Sequence, residues 1–408
     1  MWAGAPFIPL MNLPPSATFV SRSRPLVQGF FYNDPDYYPP IVNAIRLLCS
    51  AGFDVELFCR ETGGARGVGY PPEAKILRLD SRGHGSWAEF FGYLRVAISR
   101  TRTDTRCFWG HDMHGFLTAR LAAWWRRRPL VYHCHDYADS SCITAGQRIM
   151  HGFERSFASS ADVVVVPDAA RAEVIARELR LLRPPLIAAN APLFTPLVRR
   201  HSLHKALHSR GFRFDKVVFR QGRIGQGHAI EVTLRSMTEW QCREWGFVVM
   251  GLSDEAYLKS LNELARELGV TDRFVALPPV PYDQILHFTP DADVGHALYE
   301  RIHVNNVHIG TASNKVMEYL AAGVPLLVSP NATLQRLVGE KECGVCADET
   351  DPASIARSIN FLLSDEGRRV EMGRAARTAF EVDYSYDRQF APVLERMRAL
   401  TTCQPAAS

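Results

Sequence analysis

The feature that most restricts the fold is a recurrence. Short apolar runs, rich in Val, Leu and Phe, alternate with longer stretches of helical period. The runs fall at residues 25–30, 55–59, 76–79, 105–109, 130–134, 163–166 and 186–189, and again at 216–219, 246–250, 273–277, 293–297 and 325–329. A strand covered by helices on both faces has no polar side, so it reads as a continuous apolar run. Strands and helices in succession predict parallel, doubly wound α/β sheets. Between 190 and 213 the rhythm lapses into a stretch with Pro192, Pro196 and clustered Arg and His, which predicts a linker between two Rossmann-like halves.

A chain of 408 residues has room for two such domains, and 47% hydrophobic content suffices for their cores. The predicted organisation is a disordered leader at 1–23, an N-terminal domain at 24–190, the linker at 191–213, a C-terminal domain at 214–383, and a final helix and tail at 384–408. The leader has Pro6, Pro9, Pro14 and Pro15 and no charged region before its apolar residues, unlike a signal peptide. A net charge of +4 with acidic residues spread throughout demands no polyelectrolyte, so no nucleic-acid partner is expected. Scattered cysteines suit reduced thiols, and no window reaches transmembrane length, so the expected location is cytoplasmic. Cys343 and Cys346 have redox or zinc spacing, but without a second pair or nearby His they read as a buried strand end.

Ligands of open α/β sheets bind beyond the carboxyl ends of the strands, so the cleft between two such halves is the expected site. Two segments carry anion-binding chemistry. In 313–329, Ser313 or Asn314 caps a helix that Gly323 and Pro325 end. The free N–H groups at its opening attract a diphosphate. Glu318, four residues after Asn314, shares its face and can accept both hydroxyls of a ribose, from an open cleft and without a buried partner. A solvated carboxylate beside Lys315 is the plain alternative. In 221–228, directly after a strand, Gly222, Gly225 and Gly227 permit close backbone approach to a phosphate, and Arg223 adds a forked cation.

In the N-terminal half, His111-Asp112 follows one strand and Tyr132-His133-Cys134-His135-Asp136 ends the next. His135 or His111 is read as a polar group on the substrate with Asp136 orienting it; capping residues after strands are the alternative. His133 and His135 share a strand face and with His111, His114 and Asp136 could in principle bind zinc, but no ligand spacing on a helix accompanies them, so no metal site is expected. Gly29 suits either backbone approach to a ligand or a plain turn. Trp124-Trp125-Arg126-Arg127-Arg128 can touch an anionic membrane, but arginines are also favoured where a helix ends, and membrane contact is not the preferred reading.

With these residues the chain resembles the retaining glycosyltransferases of the GT-B fold, specifically glycosyltransferase family 4. Asn314-Lys315, Glu318-Tyr319 and Gly323-Val324-Pro325 look like that family's donor-site helix, and Gly222-Arg223 like its phosphate-binding turn. Residues 272–281 and 291–295 are similar to its next stretches, 157–167 to its Ala-Asp-Val strand, and Tyr384-Ser385-Tyr386 to the start of a last helix that crosses back. The resemblance runs from about 25 to 397 and is most specific in the C-terminal half. It implies two Rossmann-like domains facing across a cleft, and transfer of a hexose-type sugar from a UDP- or GDP-sugar to a small-molecule or saccharide acceptor. Configuration would be retained, with no metal and no cofactor beyond the donor. Arg223 and the Asn314 helix start would stabilise the leaving diphosphate, Glu318 would hold the ribose, and His135 would line the sugar or acceptor side. Gly29, Gly222, Gly251, Val280, Ser313 and Lys315 would complete the donor site.

Three positions depart from the family. Gly310 stands where a carboxylate is usual, His228 where a Lys is usual, and Gly29 is single where many relatives have a pair. Two other readings compete: a catalytically silent subunit that binds a partner, favoured by the missing carboxylate and lysine, and a nucleotide-sugar epimerase, which would need acid and base carboxylates and loses one candidate at Gly310.

Overall fold

The structure is a computed structural model that describes residues 24–61, 67–79, 87–137, 144–302 and 304–402. The leader expected at 1–23 lies outside the described residues. The first series of apolar runs forms one parallel sheet, built from β1 (Leu26–Phe31), β2 (Asp54–Arg60), β3 (Ala74–Leu79), β4 (Thr105–His111), β5 (Leu130–His133), β6 (Val163–Val166) and β7 (Leu186–Ile187) in the order β3-β2-β1-β4-β5-β6-β7. The second series forms another, from β8 (Lys216–Gln221), β9 (Trp245–Met250), β10 (Phe274–Leu277), β11 (Val294–Ala297), β12 (Leu326–Val328) and β13 (Gly344–Cys346), ordered β10-β9-β8-β11-β12-β13. In each sheet the strand order reverses beside the first strand, and the crevice at that switch point is where ligands bind.

Burial explains the runs. Every residue of β1, β6 and β9 is buried, because helices cover both faces of the sheet. The strand at Gly344–Cys346 has no apolar run of its own. Among the described residues it pairs only with β12, as an edge, and Cys346 within it and Cys343 just before it are free thiols. The segment at 191–213 contains a short helix, Ser202–His208, whose Leu203 and Leu207 are buried.

The helix Tyr386–Thr402 follows the second sheet in sequence but packs on the first. Its Tyr386, Phe390, Val393 and Met397 are fully buried, and the Phe390 ring lies 6.4 Å from that of Trp109 in β4. Tyr386 N donates to Pro192 O at 3.0 Å, so the two crossings between the domains run side by side. No helix among the described residues is long and apolar enough to cross a membrane.

Candidate active site

β8, β9, β10 and β11 all release their chains at one edge of the second sheet. The segments that follow line a cleft of about 1290 Å³ facing the first domain. Gly222 turns away from β8 at φ +94°, a left-handed value that costs glycine little. Gly251, just after β9, lies so close that a Cβ there would run into the Gly222 carbonyl oxygen. Only glycine allows these two backbones to meet, and their meeting shapes the cleft floor. Arg223 is exposed on that floor and meets no hydrogen-bonding partner among the described residues, so its fork is available to a ligand.

The opposite wall is the helix Asn314–Ala322. Ser313 is its N-cap, accepting from Val316 N, and Gly323 closes it at φ +64°. The opening turn faces the cleft together with Asn314 and Lys315. Lys315 does not extend into solvent. Its Nζ donates to Tyr299 Oη at 2.9 Å and lies 3.9 Å from where a Cβ on Gly222 would sit, beside the phosphate turn. Burial pushes the Tyr299 phenol up, but the adjacent Lys315 and Arg220 outweigh that and hold it below its ordinary value. His228 holds no charge here: burial, then Arg220 and Lys315, push its imidazole far down. Lys315 is thus the ammonium that this wall offers to the cleft, although burial pulls it below its ordinary value, with Tyr299 opposing.

Glu318 corrects one expectation from sequence. It lines the cleft but is only 6% exposed, and it has a buried partner: Gln221 Nε2 donates to its Oε2 at 2.5 Å. Gln221 in turn accepts from Thr289 Oγ1 at 2.8 Å. Burial pushes the Glu318 carboxyl above its ordinary value, with Gln221 and Lys315 pulling it back. The solvated-carboxylate alternative does not hold. One carboxylate oxygen is tied to the floor while the group still borders the cleft.

The first domain contributes Tyr38, Asp136 and Arg171 to the lining. Arg171 reaches across the domain boundary: it donates to His135 O at 2.8 Å on its own side, and to Asn305 O and His308 O at 2.9 Å on the other. Asp168 does the same. Its Oδ1 caps the helix Ala169–Glu178, and its Oδ2 accepts from Thr311 N at 2.9 Å. That oxygen fills the space beside Gly310, where a Cβ would strike it, so the slot of the usual carboxylate is occupied from the first domain. Asp168 is fully buried and its oxygens are engaged, so it does not stand in for the missing group. Gly310→Glu is therefore expected not to raise activity but to cost about 1–3 kcal/mol of stability by overpacking. A thermal melt and a turnover assay check both, and a more active variant of unchanged stability would contradict this reading.

His135 and Gly29 do not reach the cleft wall. His135 is 3% exposed, its Nε2 is 3.0 Å from His111 Nδ1, and its ring stacks 3.9 Å from that of His133. Burial and Arg171 push it down to about 3, so it is neutral. Its neighbour Asp136 takes the place on the wall. Gly29 lies inside β1, paired with Leu57 and Trp109 and packed under Leu57, which leaves no room for a ligand or a turn. The other sequence-derived candidates, Gly222, Arg223, Gly251, Val280, Ser313, Asn314, Lys315 and Glu318, all line the one cleft. Sequence reasoning passed over Gln221 and Tyr299. Both sit at or just beyond the carboxyl end of a strand, a position that could have pointed to them.

Comparison with known proteins bears on the family and the fold. The family described as glycosyl transferases group 1 matches residues 213–379, and a glycosyl transferase 4-like domain matches residues 41–189. The D-inositol 3-phosphate glycosyltransferase of Salinispora tropica is 32% identical over 135 residues, covering 33% of this chain and 26% of that protein. The protein of the same name from Xylanimonas cellulosilytica is 25% identical over 399 residues, covering 90% of this chain and 92% of that one. Among solved structures, Anabaena HepE in complex with UDP and glucose is 13% identical and superposes with a TM-score of 0.70, over 92% of this chain and 99% of that one. At that identity the likeness is one of fold.

Proposed function

The chain belongs to the group 1 glycosyl transferases and has the GT-B fold, and on that premise we propose that it moves a hexose-type sugar from a UDP- or GDP-sugar to a hydroxyl of a small molecule or saccharide, with retention at the anomeric carbon. The observation that carries this is the convergence of a glycine-arginine turn, a capped helix opening and a buried carboxylate on one interdomain cleft. Nucleoside diphosphates need these groups: N–H donors and cations for the phosphates, and a fixed acceptor for a diol.

In the proposed reaction the bond from the anomeric carbon to the diphosphate oxygen breaks, and the acceptor oxygen attacks the same face. The acceptor's proton passes to the departing phosphate oxygen. Arg223 and the Asn314 helix opening meet the charge that develops there, where a preorganised donor has its greatest effect. Lys315, held by Tyr299, supplies the second cation in place of a lysine at position 228. Glu318 keeps one oxygen on Gln221 and turns the rest of its acceptor capacity to the ribose. Asp136 and Tyr38 border the acceptor side. No metal takes part, so turnover should survive a chelator.

The test is a panel of UDP- and GDP-sugars with the purified chain, first by thermal shift and then by turnover. D-inositol 3-phosphate, named for the relatives, is the first acceptor to try. Product with the donor's anomeric configuration is the expected result. Binding without turnover would favour a silent subunit, and released epimerised sugar an epimerase.

A further inference from the structure

We propose that the outer face of the first domain, formed by the helices Trp87–Ser99, Asp112–Arg126 and Ala145–Phe157, is a docking surface for an anionic lipid bilayer. The three helices are neighbours on one side of the first sheet. Arg120 lies over the Phe157 ring at 5.6 Å, and Trp87 packs against the start of the third helix at Gly146.

Their outward positions are unusually apolar. Trp124 is 70% exposed, Ile149 68%, Phe91 56% and Trp125 54%, and Leu121 and Phe157 are exposed as well. Leu121, Trp124 and Trp125 recur at the spacing of one helix face, so this is a stripe and not scatter. Isolated exposed apolar residues need no explanation, but a cluster of large ones marks an interaction site.

Charge selects the partner. Each carboxylate on these helices is engaged by a partner, with Glu154 buried and Glu89 and Asp112 partly so. Glu89 pairs with Arg60 at 2.7 Å, Asp112 accepts from His135 N at 2.8 Å, and Glu154 takes the Tyr132 hydroxyl and His151. The arginines point outward instead: Arg95, Arg148 and Arg155 are exposed, as is Arg127 just past the second helix. The face is thus apolar and basic, with no exposed acid among its described helical residues. Tryptophan settles at the level of lipid headgroups, and arginine can lay its stem on apolar surface while its head meets anionic phosphate. A two-fold contact with a second copy would set these arginines against each other, which disfavours self-association through this face.

The full chain is mixed with vesicles of phosphatidylcholine alone or with added phosphatidylglycerol, and co-sedimentation and tryptophan fluorescence are read at low and high salt. Binding is expected to the anionic vesicles, with a blue shift and with weakening as salt rises. Trp124→Ser with Trp125→Ser should lower partitioning about ten-fold or more. Arg127→Ser with Arg148→Ser should lower it on anionic vesicles only. Both side-chain pairs are largely at the surface, so a nucleotide-induced thermal shift equal to that of the parent verifies folding. The proposal falls if no vesicle binds, if neutral vesicles bind equally, or if the tryptophan variant binds as the parent does. It falls too if light scattering shows a dimer that the tryptophan variant breaks.

Discussion

Arg223→Ala is expected to lower turnover by about 10²–10³-fold while changing the stability of the fold by no more than about 0.5 kcal/mol. The asymmetry follows from the position of the side chain. Arg223 is exposed on the cleft floor and meets no hydrogen-bonding partner among the described residues, so its removal strands nothing. What is lost is a fixed positive fork where a diphosphate leaves, and such a group acts more strongly on the charge of the transition state than on the bound donor. Arg223→Lys should recover only part of the rate, because an ammonium restores the charge without the paired donors. Separate kcat and KM values check this, with nucleotide affinity measured alongside. An equal fall in donor affinity with no fall in rate would show that Arg223 only binds. Lys315→Met should act in the same direction, and it also deprives the buried Tyr299 hydroxyl of its cation.

Glu318→Ala is expected to weaken donor binding at least ten-fold. Charge-assisted hydrogen bonds contribute about 1.5–3 kcal/mol each, and ten-fold corresponds to about 1.4 kcal/mol. Unlike Arg223, this residue also supports the fold. The Gln221 amide would lose its acceptor, at a cost of about 1–3 kcal/mol. The lower end is expected, because the vacated space opens to the cleft and water can enter. Glu318→Gln separates the two effects. Its amide oxygen can still accept from Gln221, so stability is kept, while one ribose acceptor becomes a donor and affinity falls. A 2′-deoxyribose donor should be weak on the parent chain but lose little more on Glu318→Ala, as expected when both changes remove one contact. Normal donor binding by the mutant, or an undiminished deoxy penalty, would place the ribose elsewhere.

The same carboxylate makes a pH prediction whose sign can be worked out. Burial raises its pKa in the folded chain, so the folded state takes up the proton at a higher pH than the unfolded chain does. Its contribution to stability is present at low pH and is lost as pH rises through the folded value. Donor binding runs the other way, since only the ionised group accepts two hydroxyls. Affinity should fall as pH drops through a midpoint above the ordinary carboxylate range. Isothermal titration of UDP and GDP against pH reads that midpoint, and Glu318→Gln should abolish the dependence.

Much of this protein was legible in its residues alone. The short apolar runs specified both parallel sheets, because a strand buried on two faces leaves no ambiguity of pattern. The Ser313 cap and Gly323 stop marked a helix whose opening binds anions, since capping is a local event between neighbours in sequence. The edge strand at Gly344–Cys346 was invisible as an element for the converse reason: half-buried, it has no apolar run. Tertiary structure alone decided which groups work together. It placed Gln221 under Glu318, Tyr299 under Lys315, and Asp168 in the space left by Gly310, pairs separated by 97, 16 and 142 residues. It also drew His135 behind the wall and Gly29 into the sheet, although both lie near strand ends where sequence reasoning expects ligands. Strand order along the chain tells which edge a loop leaves from, but whether a side chain meets solvent or a buried partner depends on what packs against it from distant sequence.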